Sequence, residues 1–319
     1  MISRPPPPPS GSIQDTVRES IASMRKRPFP IPGGWRISIG GGRRGAVLLA
    51  IAGSWLTLRT PSAGAHAPAG SGAGSPSPSW GLLELNARLS GRVKFLARRS
   101  TEPAVLGADL PLGIGETPPL PAMLDDALEG MRAAWPALRG TPVERVLEEL
   151  HRARPTRRRP GPAPAEPVAE ALGAEGWSFE EREGGALSVA LPRPFSQRAE
   201  VTCTAGGGVH VGATLARIDE QASVRRDAVG RMLLEANSAV RMVRAAVQRG
   251  DGCDTLLFEA RFDRRPVAAE LSTALGACAL ACDLYLREVQ VLIEDERCAR
   301  AFLALRSTTI PRSGVATPA

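Results

Sequence analysis

The stretch LLELNARLSGRVKFL, beginning at Leu82, is answered by LLEANSAVRMVRAAV, beginning at Leu233, and 233 minus 82 gives an offset of 151. Both copies set Leu-Leu-Glu-x-Asn at the head of an apolar pattern. Leu82, Leu85, Leu89 and Leu96 in one, and Leu233, Ala236, Val240, Val243 and Val247 in the other, step mainly by three and four. That spacing predicts one helical stripe in each copy, laid against a sheet. Asn86 and Asn237 are awkward inside such a helix, where Asn costs a few tenths of a kcal/mol and competes for backbone hydrogen bonds. The same cost in both copies points to a shared partner, such as the backbone of a strand end or loop, with an asparagine that reaches a ligand as the weaker alternative, since one residue makes no pocket.

The correspondence continues beyond the motif. AVLGADL from Ala104 lies over LLFEARF from Leu256 at an offset of 152, and Leu124, Ala127 and Leu128 lie over Leu271, Ala274 and Leu275 at 147. Trp35 pairs with Trp177, and Gly42 with Gly184, at 142. Ordered matches with drifting offsets imply one fold used twice with different loop lengths. A chain of 319 residues, 43% of them apolar, has room for two such cores.

Local signals give the element order. The five prolines Pro5 to Pro9 predict a disordered lead over 1–11. A helix from Ser12 to Arg27 follows, then a strand over Trp35 to Ile39, a glycine turn at Gly40 to Gly42, and two strands within Ala46 to Arg59. Residues 60–79, rich in Ser, Pro, Gly and Ala, read as a flexible loop. The motif helix comes next, then a strand over Ala104 to Leu110 and a helix from Pro121 to Trp135, closed by Pro136. Thr141-Pro142-Val143-Glu144 has the form of a helix start, and that helix reaches about Arg152. The Arg- and Pro-rich run that follows is a linker. The second half predicts a short helix at Pro167 to Leu172, a hairpin turning at Gly184-Gly185, strands at Glu200 to Thr204 and Val209 to Ile218, a helix from Ser223 to Arg249, a strand at Thr255 to Phe262, and a long helix opening at Pro266.

Composition bounds the chemistry. The net charge is +7, carried almost wholly by arginine, since Lys26 and Lys94 are the only lysines. The arginines are dispersed and lack interleaved aromatics, so the charge reads as a solvated surface in preference to a nucleic-acid footprint. The five cysteines all lie in the second half without metal-ligand spacing, which argues for a reducing, cytoplasmic setting. The run RRGAVLLAIAGSWLTLRTPSAGAHA imitates a secretory signal but stands about forty residues from Met1, and neither it nor LSTALGACALACDLYL reaches the ~18 uncharged apolar residues of a membrane span. His66, His151 and His210 do not cluster, and no nucleophile elbow, phosphate loop, zinc or calcium spacing occurs. No catalytic, cofactor or metal residue is assigned. The residues singled out are the repeat positions Leu82, Asn86, Leu233 and Asn237.

The order helix, antiparallel strands, helix with LLxxN, strand, helix resembles the superfamily of bacterial class I type III secretion chaperones and the related YbjN-like domains. MLLEANSAVRMVRAAV, TLLFEARF and ELSTALGACALACDLYL carry the likeness, which is closer over 165–305 than over 12–138. The resemblance implies an α+β fold of two tandem modules, each a twisted antiparallel sheet packed by helices, with no cofactor and a protein as the binding partner. Secretion chaperones are short, acidic homodimers; this chain is basic and carries both copies itself. The expected organisation is a lead over 1–11, a first module over 12–138, a helix and linker over 139–164, a second module over 165–308 and a tail over 309–319. The expected function is non-enzymatic protein binding by a monomer whose two modules pair internally through the apolar last helix. A basic nucleic-acid-associated protein, or an enzyme with a dispersed site, are the alternatives.

Overall fold

The computed structural model describes residues 13–23, 28–39, 45–61, 78–89, 91–99, 102–112, 120–153, 165–192, 197–204, 207–219 and 222–307. The expected lead, the tail, most of the 60–79 loop with His66, the Gly40 to Gly42 turn and most of the linker lie outside them. Among the described residues the fold is α+β, with two six-stranded antiparallel sheets and eight helices.

Unit one runs α1 (Ile13–Ser23), β1 (Phe29–Ile31), β2 (Gly34–Ser38), β3 (Ala46–Ala52), β4 (Trp55–Arg59), α2 (Pro78–Asn86), β5 (Val93–Leu96), β6 (Val105–Pro111), α3 (Leu120–Leu138) and α4 (Val143–Ala153). Unit two repeats it as α5 (Glu166–Ala174), β7 (Phe179–Glu181), β8 (Leu187–Ala190), β9 (Arg198–Cys203), β10 (Val209–Asp219), α6 (Ser223–Ala239), β11 (Arg244–Gln248), β12 (Cys253–Phe262), α7 (Ala268–Glu294) and α8 (Glu296–Ser307). The sheet orders β1-β2-β3-β4-β6-β5 and β7-β8-β9-β10-β12-β11 are the same topology. Each terminal strand, β5 or β11, is the fifth strand of its unit folded back outside the sixth.

Period-two burial orients the sheets. Val209, Val211, Ala213 and Leu215 of β10 are buried in the core under α7, while His210 points to the other face, as the alternation requires. The hairpin between β7 and β8 turns where expected, with Gly184 and Gly185 at φ of 83° and 77°, a region that glycine enters without steric cost. β1 contains Pro30 and takes the outer edge of its sheet, where a missing N–H breaks no ladder.

Five expectations are corrected. The motif helices stop early, at Asn86 and Ala239, so Leu89, Leu96, Val243 and Val247 lie on turns or strands. The chain reverses through Gly91 (φ 58°) in one copy and Met242 (φ 66°) in the other, and returns as β5 and β11, strands that the helical spacing had concealed. Trp35 and Trp177 are not equivalent: Trp35 is in β2, while Trp177 precedes β7, the counterpart of β1. α3 continues through Pro136, which sits in the last turn, where its missing donor costs a single bond. α4 belongs to unit one instead of standing between modules. It packs on α2 and α3 just as α8, a helix not foreseen, packs on α6 and α7. Finally, the apolar side of α7 is not the main surface that meets unit one; the first turn of α7 reaches that unit through the Glu270 carboxylate. Leu271, Leu275, Cys278, Cys282 and Val289 are buried, and α7 packs against β10, β12, α5, α6 and α8 of its own unit. By length and composition α7 would also suffice to cross a membrane; in this fold its apolar side covers a sheet.

The units touch mainly through α2 and α6, which pack on each other, and through reciprocal contacts of α2 with β11 and of α6 with β5. A single apolar cluster runs from Val17 and Ile37 through Trp80 to Leu256 and Leu275.

Candidate functional site: the polar seam between the units

Asn86 ends α2 and Asn237 lies in the last turn of α6, and both are fully buried. Each carboxamide serves the outer edge of its own sheet: Asn86 Oδ1 accepts from Phe95 N at 2.7 Å, and Asn237 Oδ1 accepts from Ala245 N at 2.6 Å. Each Nδ2 then donates to both edges. Asn86 reaches Phe95 O at 3.3 Å and Ala245 O at 3.0 Å; Asn237 reaches Ala245 O at 3.4 Å and Phe95 O at 2.9 Å. The paired asparagines thus stand where a further strand would, satisfying backbone groups that an edge would otherwise leave bare. This is the shared partner that the repeated asparagine implied. Leu233 is buried in the core and Leu82 packs against it half-buried, so both leucines are packing residues.

A second repeated device crosses the seam. Lys94 on β5 donates to Val240 O and Val243 O in the turn of unit two. Arg244 on β11 donates to Leu89 O at 2.6 Å, Val93 O at 2.6 Å and Gly91 O at 3.2 Å in the corresponding turn of unit one. Each buried cation has a buried acid on its own sheet. Lys94 Nζ lies 3.3 Å from Asp109 Oδ2, and Arg59 Nη2 lies 2.6 Å from Asp109 Oδ1; Arg244 Nε lies 3.0 Å from Glu259 Oε1. The register of the acids differs, because Arg244 stands opposite Glu259 in its ladder whereas Lys94 stands opposite Gly107. A Cβ at Gly107 would meet Arg59 Nη1 at 2.8 Å, so glycine leaves the passage through which Arg59 reaches Asp109.

Electrostatics follow from burial and pairing. Burial lowers the Lys94 ammonium to about 8, with Asp109 opposing the shift in part and Arg59 adding to it. Burial alone would raise the Glu259 carboxyl, but Arg244, His210 and Arg261 outweigh it and hold the group well below the usual carboxylate range. Asp109 is lowered in the same way, Lys94 and Arg59 overcoming its desolvation. His210 bonds Glu259 Oε2 through Nε2 at 2.8 Å, so the strand histidine is a partner in this network.

Further contacts join the units without a counterpart in the repeat. Trp80 is fully buried and its Nε1 donates to Asp254 Oδ2 at 2.9 Å; Arg226 donates to the same oxygen at 2.6 Å and lies 4.7 Å over the indole ring. Arg92 of unit one pairs with Glu270 of unit two at 3.3 Å, and Arg249 pairs with Glu84 at 2.9 Å. Ala97 N donates to Leu234 O across the seam at 2.9 Å.

The cavity enclosed by Arg92, Lys94, Asp109, Arg244 and Glu259 measures about 10 Å³, the scale of one water molecule. Larger hollows lie elsewhere. One of about 560 Å³ spans the open face of the second sheet beside Arg198, Glu200, His210 and Thr214. Another of about 460 Å³ runs between α6, α7 and α8, beside Met232, Tyr285, Leu292 and Phe302. Among the described residues no three His, Cys, Asp or Glu side chains are grouped to hold a metal. The sequence had not singled out Lys94, Asp109, Trp80, Arg244 or Glu259. The available signal was a lone charge inside an apolar run, as in VKFL and LGADLP, read with strand rather than helix periodicity. The chain matches no protein-family model, no curated protein and no solved structure.

Proposed function

We propose that the chain is a non-enzymatic, chaperone-like protein-binding module, a monomer in which two type III secretion chaperone-like or YbjN-like units pair with each other and leave their outer surfaces for a protein partner. The observation that carries this reading is how the buried ionisable groups are used. Lys94, Asp109, Arg244 and Glu259 join the units around a space too small for a substrate, while the larger hollows are open to solvent. Arg59, Arg92, Arg226 and Arg261 are taken up in ion pairs within the fold, which favours a protein partner over nucleic acid. All five cysteines are free thiols, in keeping with a cytoplasmic setting.

The test is photo-crosslinking from the native cytosol, with the crosslinker placed at Thr214 on the sheet face or at Leu284 on α7, at low and high salt. The expected result is a discrete protein adduct that survives high salt. Capture of nucleic acid alone, lost as salt is raised, overturns the reading in favour of electrostatic nucleic-acid binding. Light scattering is expected to give the mass of one chain, 33.6 kDa; a stable dimer contradicts internal pairing as the solution state.

A further inference from the structure

The seam contains two kinds of contact, and they differ in what they would permit. The asparagine pair and the buried cations seated on turn carbonyls are present in both units, so two copies of either unit could make them. The Trp80 seat and the Arg92–Glu270 pair exist in only one direction. The motif alignment that sets Leu82 over Leu233 sets Trp80 over Arg231. In a pair of two second units, Arg231 would enter the seat occupied by Trp80 and meet Arg226, placing two guanidinium groups on the single carboxylate of Asp254. Arg231 is instead held at the half-exposed surface by Asp227, at 3.2 Å.

The opposite homotypic pair fails at the other contact. The alignment of α3 with α7 sets Met123 over Glu270. In a pair of two first units, Arg92 would face Met123 and lose its carboxylate, although only 13% of its side chain is exposed. Unit two avoids the reciprocal problem by carrying Val243 where unit one carries Arg92. An unpaired or like-paired buried charge is strongly unfavourable, and discrimination between partners rests on such penalties as much as on attraction.

We propose that the Trp80–Arg226–Asp254 seat and the Arg92–Glu270 pair form a recognition key that restricts the seam to one first unit and one second unit. Either homotypic pairing is rejected, and a second copy of the chain can enter the seam only by exchanging whole units.

Trp80→Arg in the full chain tests this, since it installs the residue that unit two carries. Hydrogen exchange at the Ala97 amide reads the seam, and amides within β3 and β10 report whether each unit is folded. The expected result is a loss of Ala97 protection of about tenfold or more, the equivalent of one well-seated contact, with a larger radius in solution scattering and β3 and β10 unchanged. Trp80→Phe, which keeps a ring over Arg226 but loses the indole N–H, is expected to fall between the two. Wild-type protection and radius in Trp80→Arg overturn the proposal. Should Trp80→Arg also strip protection from β3, Arg92→Met decides: a several-fold loss at Ala97 alone supports the key, and no change overturns it.

Discussion

Unit one and unit two share every strand and helix in order, yet differ in the chemistry of the same positions. Lys94 stands where unit two has Arg244, and the acid that balances it is Asp109, whereas Arg244 is balanced by Glu259 at a different register. α3 spans 19 residues and α7 spans 27, with Leu280, Leu284 and Val291 exposed on the longer helix and no large apolar side chain exposed on the shorter. What the units hold in common ties them together, and what distinguishes them sets direction. The two asparagines and two carbonyl-seated cations are needed whichever unit contributes them, because backbone groups at both sheet edges must be satisfied. Side-chain identity at the other positions is free to diverge, and there the two halves became unequal.

The largest effect expected from breaking this comparison is at the acids. Glu259→Ala leaves Arg244 buried without its carboxylate and also removes the partner of Arg261 and His210. A loss of about 3–5 kcal/mol in denaturant unfolding is expected. Asp109→Ala should cost less, because Lys94 can lose its proton near neutral pH while an arginine cannot, and Arg59, the other partner of Asp109, is partly exposed and keeps its bonds to Leu58 O and Ala108 O. Equal losses would show that the two cations behave alike.

Lys94 also gives the comparison a pH signature. Its folded value, about 8, lies below the ordinary 10.5, so the unfolded chain binds more protons between those values and stability from this group rises with pH across the window. The gain is about 3 kcal/mol at full deprotonation. It is expected to vanish in Lys94→Met, read as the difference between the two proteins' unfolding free energies from pH 7 to 10.5. At the acid end the sign is set by Glu259 and Asp109, whose lowered values contribute stability above the ordinary carboxylate range that is lost as the solution is acidified.

Asn86→Ala and Asn237→Ala sharpen the comparison from the side of likeness. Each exposes one edge amide and weakens the bonding of two carbonyls, for about 2 kcal/mol. The two variants are expected to match within experimental error, and a large inequality would show that the seam is not balanced. The smallest effect is expected at the surface. Arg182→Ala removes a 3.8 Å pair with the exposed Glu180 and should change stability by no more than about 0.5 kcal/mol.

Much of this architecture was legible in the amino-acid order because it rests on local rules. The repeat, the β7–β8 turn at Gly184-Gly185, the alternation of β10 and the apolar face of α7 follow from φ preferences and from the periods of strands and helices. Asn86 and Asn237 call for a shared partner because an asparagine inside an apolar helical pattern is a local contradiction; that the partner is sheet-edge backbone is shown by the fold. The rest is non-local. RVKFL and MVRAAV fit a helical stripe as well as they fit a strand, and only the edge of a sheet, completed by residues more than a hundred positions away, decides for the strand. Lys94 is buried because Val240 and Val243, from the other unit, close over it. Trp80, Asp254 and Arg226 come from three separate segments, so no window along the chain contains their contact. The sequence alone determined that one unit was used twice; the tertiary structure decided which surfaces meet, because burial of a charge is set by neighbours distant in the chain.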